Sequence, residues 1–247
     1  MPALTEDEIH KIAAVEQRQW WYRGTREICF SLLKPFLANR PPLDILDVGC
    51  GTGGNLLVLK QYGRARGIDI DPLCVDYCRQ KGLDVSPGSM EQLGQPRTSL
   101  DLLTMFDVLC QAEPDQHVTI LSGMADTLRP GGIIAFREPA MVIARGWHDL
   151  AVNIRKRFDT AGTGALLRAA GFEPLRVTYL NTLLFPPIVL LRHLQRSRQP
   201  EFAKSDVEDT GEPVNSLLLA LLRVERILLQ GTNLPFGVSL FAIGRKT

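Results

Sequence analysis

No stretch of this sequence is apolar for long enough to cross a bilayer. The longest apolar run, residues 182–191, is ten residues and contains Pro186 and Pro187, against the roughly 20 residues that a spanning helix needs. Neither sign of charge dominates, because 28 Lys+Arg stand against 27 Asp+Glu for a net charge of +1. Without a basic excess, no nucleic-acid partner is expected, although a local basic patch stays open. The five cysteines (Cys29, Cys50, Cys74, Cys78 and Cys110) form no CxxC pair, have no metal-ligand spacing and are odd in number. They read as reduced thiols in a cytoplasmic protein with no metal site. The opening residues MPALTEDEIH are acidic and polar, unlike a secretory leader. There is no internal repeat. What is present is a globular composition, 45% hydrophobic and 22% charged over 247 residues, long enough to bury a core without disulfides or metal.

The pattern changes along the chain. Thr5 with Glu8 makes a capping box ahead of Ile9, Ile12 and Ala13, and Ile28, Leu32, Leu33 and Phe36 mark a second helix that ends near Pro41 and Pro42. From Leu43, short apolar runs alternate with helical segments. Strands are predicted at 43–48, 65–70, 84–86, 100–107 and 132–138, with helices at 55–62, 72–81, 115–128 and 160–170. That alternation means right-handed βαβ units and a mostly parallel sheet covered on both faces. After Gly171 it stops. Strands are expected at 173–180 and 236–245, and between them lie an apolar segment at 183–194, an acidic linker at 199–213 and a strongly apolar helix at 214–230. The expected organisation is one domain: an N-terminal helical lid at 1–42, a core at 43–180 and 236–247, and a helical insertion at 181–235. The insertion can cap a pocket, pair with another subunit or rest on a membrane surface; a cap over an apolar acceptor is the expectation taken here.

The strongest signal is LDILDVGCGTGG, an apolar strand running through Asp47 into Gly49, Gly51, Gly53 and Gly54. Glycines let the chain turn sharply and let a ligand approach the backbone. Asp69 ends the next predicted strand, where a carboxylate can accept both hydroxyls of a ribose. Together they describe a cofactor that contains adenosine. Gly49-x-Gly51-x-x-Gly54 also satisfies the dinucleotide pattern. Asp47, however, would repel a pyrophosphate at the loop and would attract a ligand carrying an ammonium and a sulfonium. S-adenosylmethionine carries both.

With LDVGCGTGG at 45–54 (within the longer run), GIDIDP at 67–72, DLLTMFDVL at 101–109 and LRPGG at 128–132, the sequence resembles the class I S-adenosylmethionine-dependent methyltransferases of the bacterial type-11-like kind. The resemblance implies a three-layer Rossmann-like α/β fold: a seven-stranded, mostly parallel sheet with an antiparallel terminal strand pair. It also implies cofactor contacts. Asp47, Gly49, Gly51 and Gly53 would line the methionine end, Asp69 would hold the ribose, and Ile70 would pack on the adenine. Ser89 stands where relatives commonly carry Asp, and Met90 beside it can cover the adenine face. Phe106 and Asp107 would face the transferred methyl group. Gln111 replaces the His of the DVLEH pattern.

Methyl transfer from a sulfonium is an in-line displacement by an already activated donor, so alignment and exclusion of water supply most of the catalysis. A base helps when the acceptor is a hydroxyl or a protonated amine. His148, just after the fifth predicted strand, is the candidate, and it equally suits a loop cap. Trp20, Trp21, Tyr22 and Arg23 form an aromatic cluster suited to a planar acceptor or a cation, or to core packing. Arg145, Arg155, Lys156 and Arg157 can receive a substrate anion or form a solvated face. The expected function is methylation of a small, partly apolar molecule, most often at oxygen, by a monomer or homodimer. The alternatives are a tRNA or protein methyltransferase, and an NAD-dependent oxidoreductase sharing the loop.

Overall fold

The computed structural model describes residues 4–37, 42–195 and 210–247, with His148 and Gln195 described by their backbone alone. The acidic linker expected at 199–213 therefore lies largely outside the described residues. Helix α1 (Glu6–Val15) begins at the capping box that the sequence marks: the Thr5 side chain accepts from Glu8 N, and the Glu8 side chain accepts from Thr5 N. Helix α2 (Trp20–Leu37) starts at the aromatic cluster. The core then alternates β1 (Leu43–Val48), α3 (Gly54–Leu59), β2 (Gly63–Asp69), α4 (Pro72–Gln80), β3 (Val85–Pro87), β4 (Leu100–Phe106), α5 (His117–Thr127), β5 (Leu128–Pro139), α6 (Trp147–Ala151), α7 (Thr160–Ala169) and β6 (Phe172–Leu180). Helices α8 (Phe185–Gln195) and α9 (Glu212–Gly231) precede β7 (Ser239–Lys246).

The seven strands form one sheet in the order β3-β2-β1-β4-β5-β7-β6. Neighbours from β3 to β5 run parallel, and β7 lies antiparallel between β5 and β6. The antiparallel terminal pair is thus an inserted last strand. Both faces are covered. One core holds Leu46, Leu103, Met105 and Phe136 with Leu121 of α5, and the other holds Ile45, Leu102 and Ala135 with Ile28 and Leu32 of α2. Near-continuous apolar strands follow from that double burial.

Two strand boundaries differ from the sequence reading by three residues or more. β5 begins at Leu128, which pairs with Leu100 before an irregularity carries the ladder to Ile133. β7 begins at Ser239, because Gly237 approaches the Leu180 carbonyl too closely for a side chain, and Phe236 turns aside to pack on Phe185 with ring centroids 5.4 Å apart.

The insertion divides its work. α9 lies along α2, with Leu222 pressed onto Gly24 and Arg223 making two hydrogen bonds to Glu27, at 2.9 and 3.0 Å. Glu225, fully buried, accepts from the backbone N–H groups of Asn181 and Leu183 and so ties α9 to the end of β6. α8 faces the central cavity instead, through Ile188, Leu191 and Arg192. No helix among the described residues is long and apolar enough to cross a membrane.

Candidate functional site

The carboxyl ends of β1, β2, β4 and β5 open into a cavity of about 1270 Å³, the place where open parallel sheets bind ligands. Its floor is the glycine loop after β1. Gly49 has φ +65° and its Cα faces Val108, so any Cβ there would collide with that side chain. Gly51, with φ +54°, has no protein atom within 4 Å of where a Cβ would sit, and it opens onto the cavity. Asp69 holds the loop: one carboxylate oxygen accepts from Gly51 N at 2.8 Å and the other from Asp71 N at 2.9 Å. A carboxylate offers about four acceptor positions, so two remain for hydroxyls of a ligand. Burial pushes the Asp69 pKa up, against the lowering effect of those backbone hydrogen bonds.

Asp47 lies beneath the loop, 1% exposed. Thr104 donates to its Oδ1 at 2.6 Å, and its Oδ2 has no hydrogen-bond partner within the protein. Burial pushes its pKa up to about 7; the Thr104 hydrogen bond opposes that rise and the Asp69 charge adds to it. A buried carboxylate with an unpaired oxygen costs free energy, and a cationic ligand in the cavity would offset it.

Beyond the loop the cavity changes character. Asp107, with φ +59°, closes β4. Its carboxylate is paired with Arg137 of β5 (Nε 3.3 Å), whose guanidinium also lies 5.9 Å from the Phe106 ring centroid. Burial works against the Arg137 cation, but Asp107, together with Cys29 and Glu138, outweighs it and the net pKa is raised. Tyr22 reaches the same place from α2, and burial pushes its hydroxyl pKa up. Below, Glu138 accepts from Leu109 N and Cys110 N, both at 3.0 Å, fixing the turn that follows Asp107. Further out, Arg157 grips the buried Asp149 at 2.6 and 2.7 Å and donates to Ala140 O at 2.7 Å.

Of the residues expected from sequence, the cavity is lined by Gly49, Gly51, Asp69, Ile70, Ser89, Met90, Phe106, Asp107, Gln111, Trp20, Trp21 and Tyr22. Ile70 is 60% exposed. Four expectations fall outside this lining, and the first is Asp47, which lies buried beneath the loop. Gly53 faces Leu83 and the Cys78 sulfur rather than the cavity, because its loop position turns it toward α4. Arg23 points outward and pairs with Glu27 at 3.1 Å. Arg145 is exposed outside the cavity wall. His148 sits in α6 beside the cavity-lining Trp147, and its side chain lies outside the described residues. Among the described residues, no group of three or more His, Cys, Asp or Glu is placed to hold a metal ion. Sequence reasoning passed over Glu16, Gln19, Arg26 and Arg137, all of which line the cavity.

Residues 45–132 match the family model described as a methyltransferase domain. Over the whole chain, the fold matches the methyltransferase in the Haloferax volcanii complex with the Trm112 methyltransferase activator (TM-score 0.58, 20% identity, 98% of each chain). It equally matches an S-adenosylmethionine-dependent methyltransferase from Archaeoglobus fulgidus (TM-score 0.58, 17% identity, 92% of this chain and 96% of that one). Residues 45–132 thus match a methyltransferase domain, and the chain around them has the fold of these methyltransferases. A curated relative, the tRNA N(3)-methylcytidine methyltransferase Mettl2 of Drosophila melanogaster, is 27% identical over 148 residues, 53% of this chain and 44% of that protein. The chain spans less than half the length of the curated relatives it matches.

Solved structures with this fold are S-adenosylmethionine-dependent, and the residues present here fit that cofactor: the orphaned Asp47 oxygen suits a cation, and Gly51 opens onto the cavity where a Cβ would intrude. One sequence expectation is corrected. Near-zero net charge is no ground for excluding a nucleic-acid or protein partner, since relatives of this domain include a tRNA methyltransferase and one held in complex with an activator protein. Net charge sums the whole surface, whereas recognition depends on local patches.

Proposed function

We propose that the protein transfers the methyl group of S-adenosylmethionine to a small, partly apolar acceptor, with oxygen as the atom methylated. The observation that carries this reading is the size and division of the cavity. About 1270 Å³ exceeds the roughly 300–1,000 Å³ of a pocket for one drug-sized ligand, leaving room for cofactor and acceptor together. Asp69 and the glycine loop, with the buried Asp47 beneath it, form part of the lining, and Trp20, Trp21, Tyr22, Phe106, Trp147, Ile188 and Leu191 form an apolar and aromatic part. The five cysteines are free and buried, which supports a reducing, cytoplasmic setting.

When bound, S-adenosylmethionine supplies an already activated methyl group. Asp69 would hold the ribose hydroxyls and Ile70 the adenine face. Asp47 would sit opposite the positive charge, and the Asp107–Arg137 pair would orient the acceptor at the end of β4. The α1–α2 segment and α8 would keep water from the reacting atoms. For a proton lost from an acceptor hydroxyl, His148, next to Trp147 in sequence, remains the candidate base.

A second reading, methylation of a tRNA base drawn into the same cavity, is supported by the tRNA-modifying relative. Incubating the protein with methyl-labelled S-adenosylmethionine and, separately, a small-molecule extract or total tRNA distinguishes them. Label in extractable small molecules is the expected result. Label in tRNA alone would replace it with the second reading, and failure to bind S-adenosylmethionine would overturn both.

A further inference from the structure

The methionine end of S-adenosylmethionine is a zwitterion, so a site for it needs a cation as well as the acid at Asp47. Five arginines line the cavity: Arg26, Arg137, Arg155, Arg157 and Arg192. Arg137 is paired with Asp107, Arg155 with Glu113, and Arg157 with Asp149 through two hydrogen bonds. Arg192 donates to Ala144 O and lies 3.9 Å from Asp149. Arg26 differs. Its Nη1 donates to the Gln17 side-chain carbonyl at 3.0 Å and its Nη2 to Glu16 O at 2.7 Å, both neutral acceptors. Its Nε is buried with no partner within the protein. Among the described residues, no carboxylate lies within ion-pair distance of it.

Its place in the fold matters as much as its missing counter-charge. A Cβ at Gly54, where the cofactor loop enters α3, would lie 2.8 Å from Arg26 Nη2. The guanidinium therefore rests on the loop itself. Thr52, in the same loop, has a buried hydroxyl with no partner and also lines the cavity. Glu16, the nearest acid, is neutralised by Lys81 at 2.6 Å, and Lys81 also donates to Thr52 O at 2.7 Å. This corner of the cavity thus presents one unmatched cation beside a short stretch of loop backbone. Burial lowers the Arg26 pKa, with Glu16 opposing the shift only in part.

We propose that Arg26 is the receptor for the carboxylate of the cofactor's methionine moiety, which makes the N-terminal helix pair a wall of the cofactor site and not only a lid over the acceptor. The inference rests on the S-adenosylmethionine reading. It also assigns a purpose to Glu16 and Lys81, which fasten the α1–α2 junction to the loop carbonyl and thereby place Arg26.

The test compares two ligands on the full chain by isothermal titration: S-adenosylhomocysteine, which carries the amino-acid carboxylate, and 5′-methylthioadenosine, which lacks it. Arg26→Ala is expected to weaken S-adenosylhomocysteine by about tenfold to a hundredfold, the range of a lost charge-assisted contact. It should leave methylthioadenosine within about twofold, and that ligand doubles as a control for an intact pocket. Arg26→Lys should recover part of the loss, because a lysine keeps the charge without the planar fork. Equal weakening of both ligands, or of neither, would overturn the role of Arg26 while leaving the cofactor reading in place. If the unaltered chain bound neither ligand, the cofactor reading itself would fall and this inference with it.

Discussion

With Asp47 opposite the positive charge of the cofactor, as proposed, cofactor binding depends on pH. Its carboxyl is buried under the glycine loop, and burial raises its pKa to about 7. In the unliganded protein it is therefore mostly protonated at pH 6 and mostly ionised at pH 8. A cationic ligand prefers the ionised form, so binding below pH 7 must first remove a proton. For a single group titrating near 7, the apparent dissociation constant of S-adenosylmethionine should fall about tenfold from pH 6 to pH 8, equivalent to about 1.4 kcal/mol. Binding at pH 7 should release about half a proton, seen as a dependence of the titration heat on the buffer's ionisation enthalpy. The same shift bears on folding, and its sign is the reverse of the usual carboxylate case. A folded pKa above the unfolded value contributes stability that is present below the unfolded pKa and lost as pH rises through about 7. Binding should thus tighten over the interval in which the unliganded fold loses this contribution. Asp47→Asn keeps the shape and an oxygen for the Thr104 hydroxyl but cannot ionise, so it should bind weakly with little pH dependence. An unchanged pH slope in Asp47→Asn, or a flat profile in the unaltered protein, would refute the assignment.

Two further outcomes concern the walls of the cavity. Asp149→Ala leaves Arg157 buried, 4% exposed, without its carboxylate; the expected cost is about 3–5 kcal/mol, seen as a lower midpoint in urea unfolding, and a loss below about 1 kcal/mol would argue against a desolvated pair. Leu222→Ala should destabilise by about 2–5 kcal/mol, because Leu222 is fully buried against α2. Gly24→Ala should also destabilise by clashing with Leu222. The double variant should lose less than the sum of the two, since the new methyl occupies space that the leucine vacates; strict additivity would show that the two residues do not meet.

The glycine-loop part of the cavity was legible because its parts are close in sequence and each carries a local constraint. Asp47, Gly49, Gly51 and Asp69 all fall within one strand–loop–helix–strand unit, where spacing alone brings the loop and the acid together. The sheet was legible for a related reason, since strands covered on both faces must be apolar throughout. Strand ends were less so: β5 reaches back to Leu128 through a polar, glycine-bearing stretch that pairs with Leu100 only because β4 is there. The far wall could not be read at all. Arg26 belongs to a helix that sequence places before the core, and nothing local says that its guanidinium rests on Gly54. Arg137 follows an apolar run and looks like a strand end until Asp107 is brought beside it.

The insertion shows where such reading stops. Its last helix carries apolar residues on more than one stripe, a pattern that predicts burial on more than one side. In the structure, Leu219, Leu222 and Leu229 are buried, while Leu217 and Ile227 stay 63% and 67% exposed. Composition fixes how much apolar surface a helix carries, not which neighbour covers it. Here the neighbour is α2, whose Glu27 meets Arg223 across 196 residues of chain. The contact has a consequence for the cofactor. α2 carries Tyr22 and Arg26 into the cavity, and α9 presses on the opposite side of that helix through Leu222 at Gly24. The cavity wall that α2 forms is therefore held from behind by a segment near the other end of the chain. A change at Leu222 should for that reason reach the cavity through α2, without Leu222 touching any ligand.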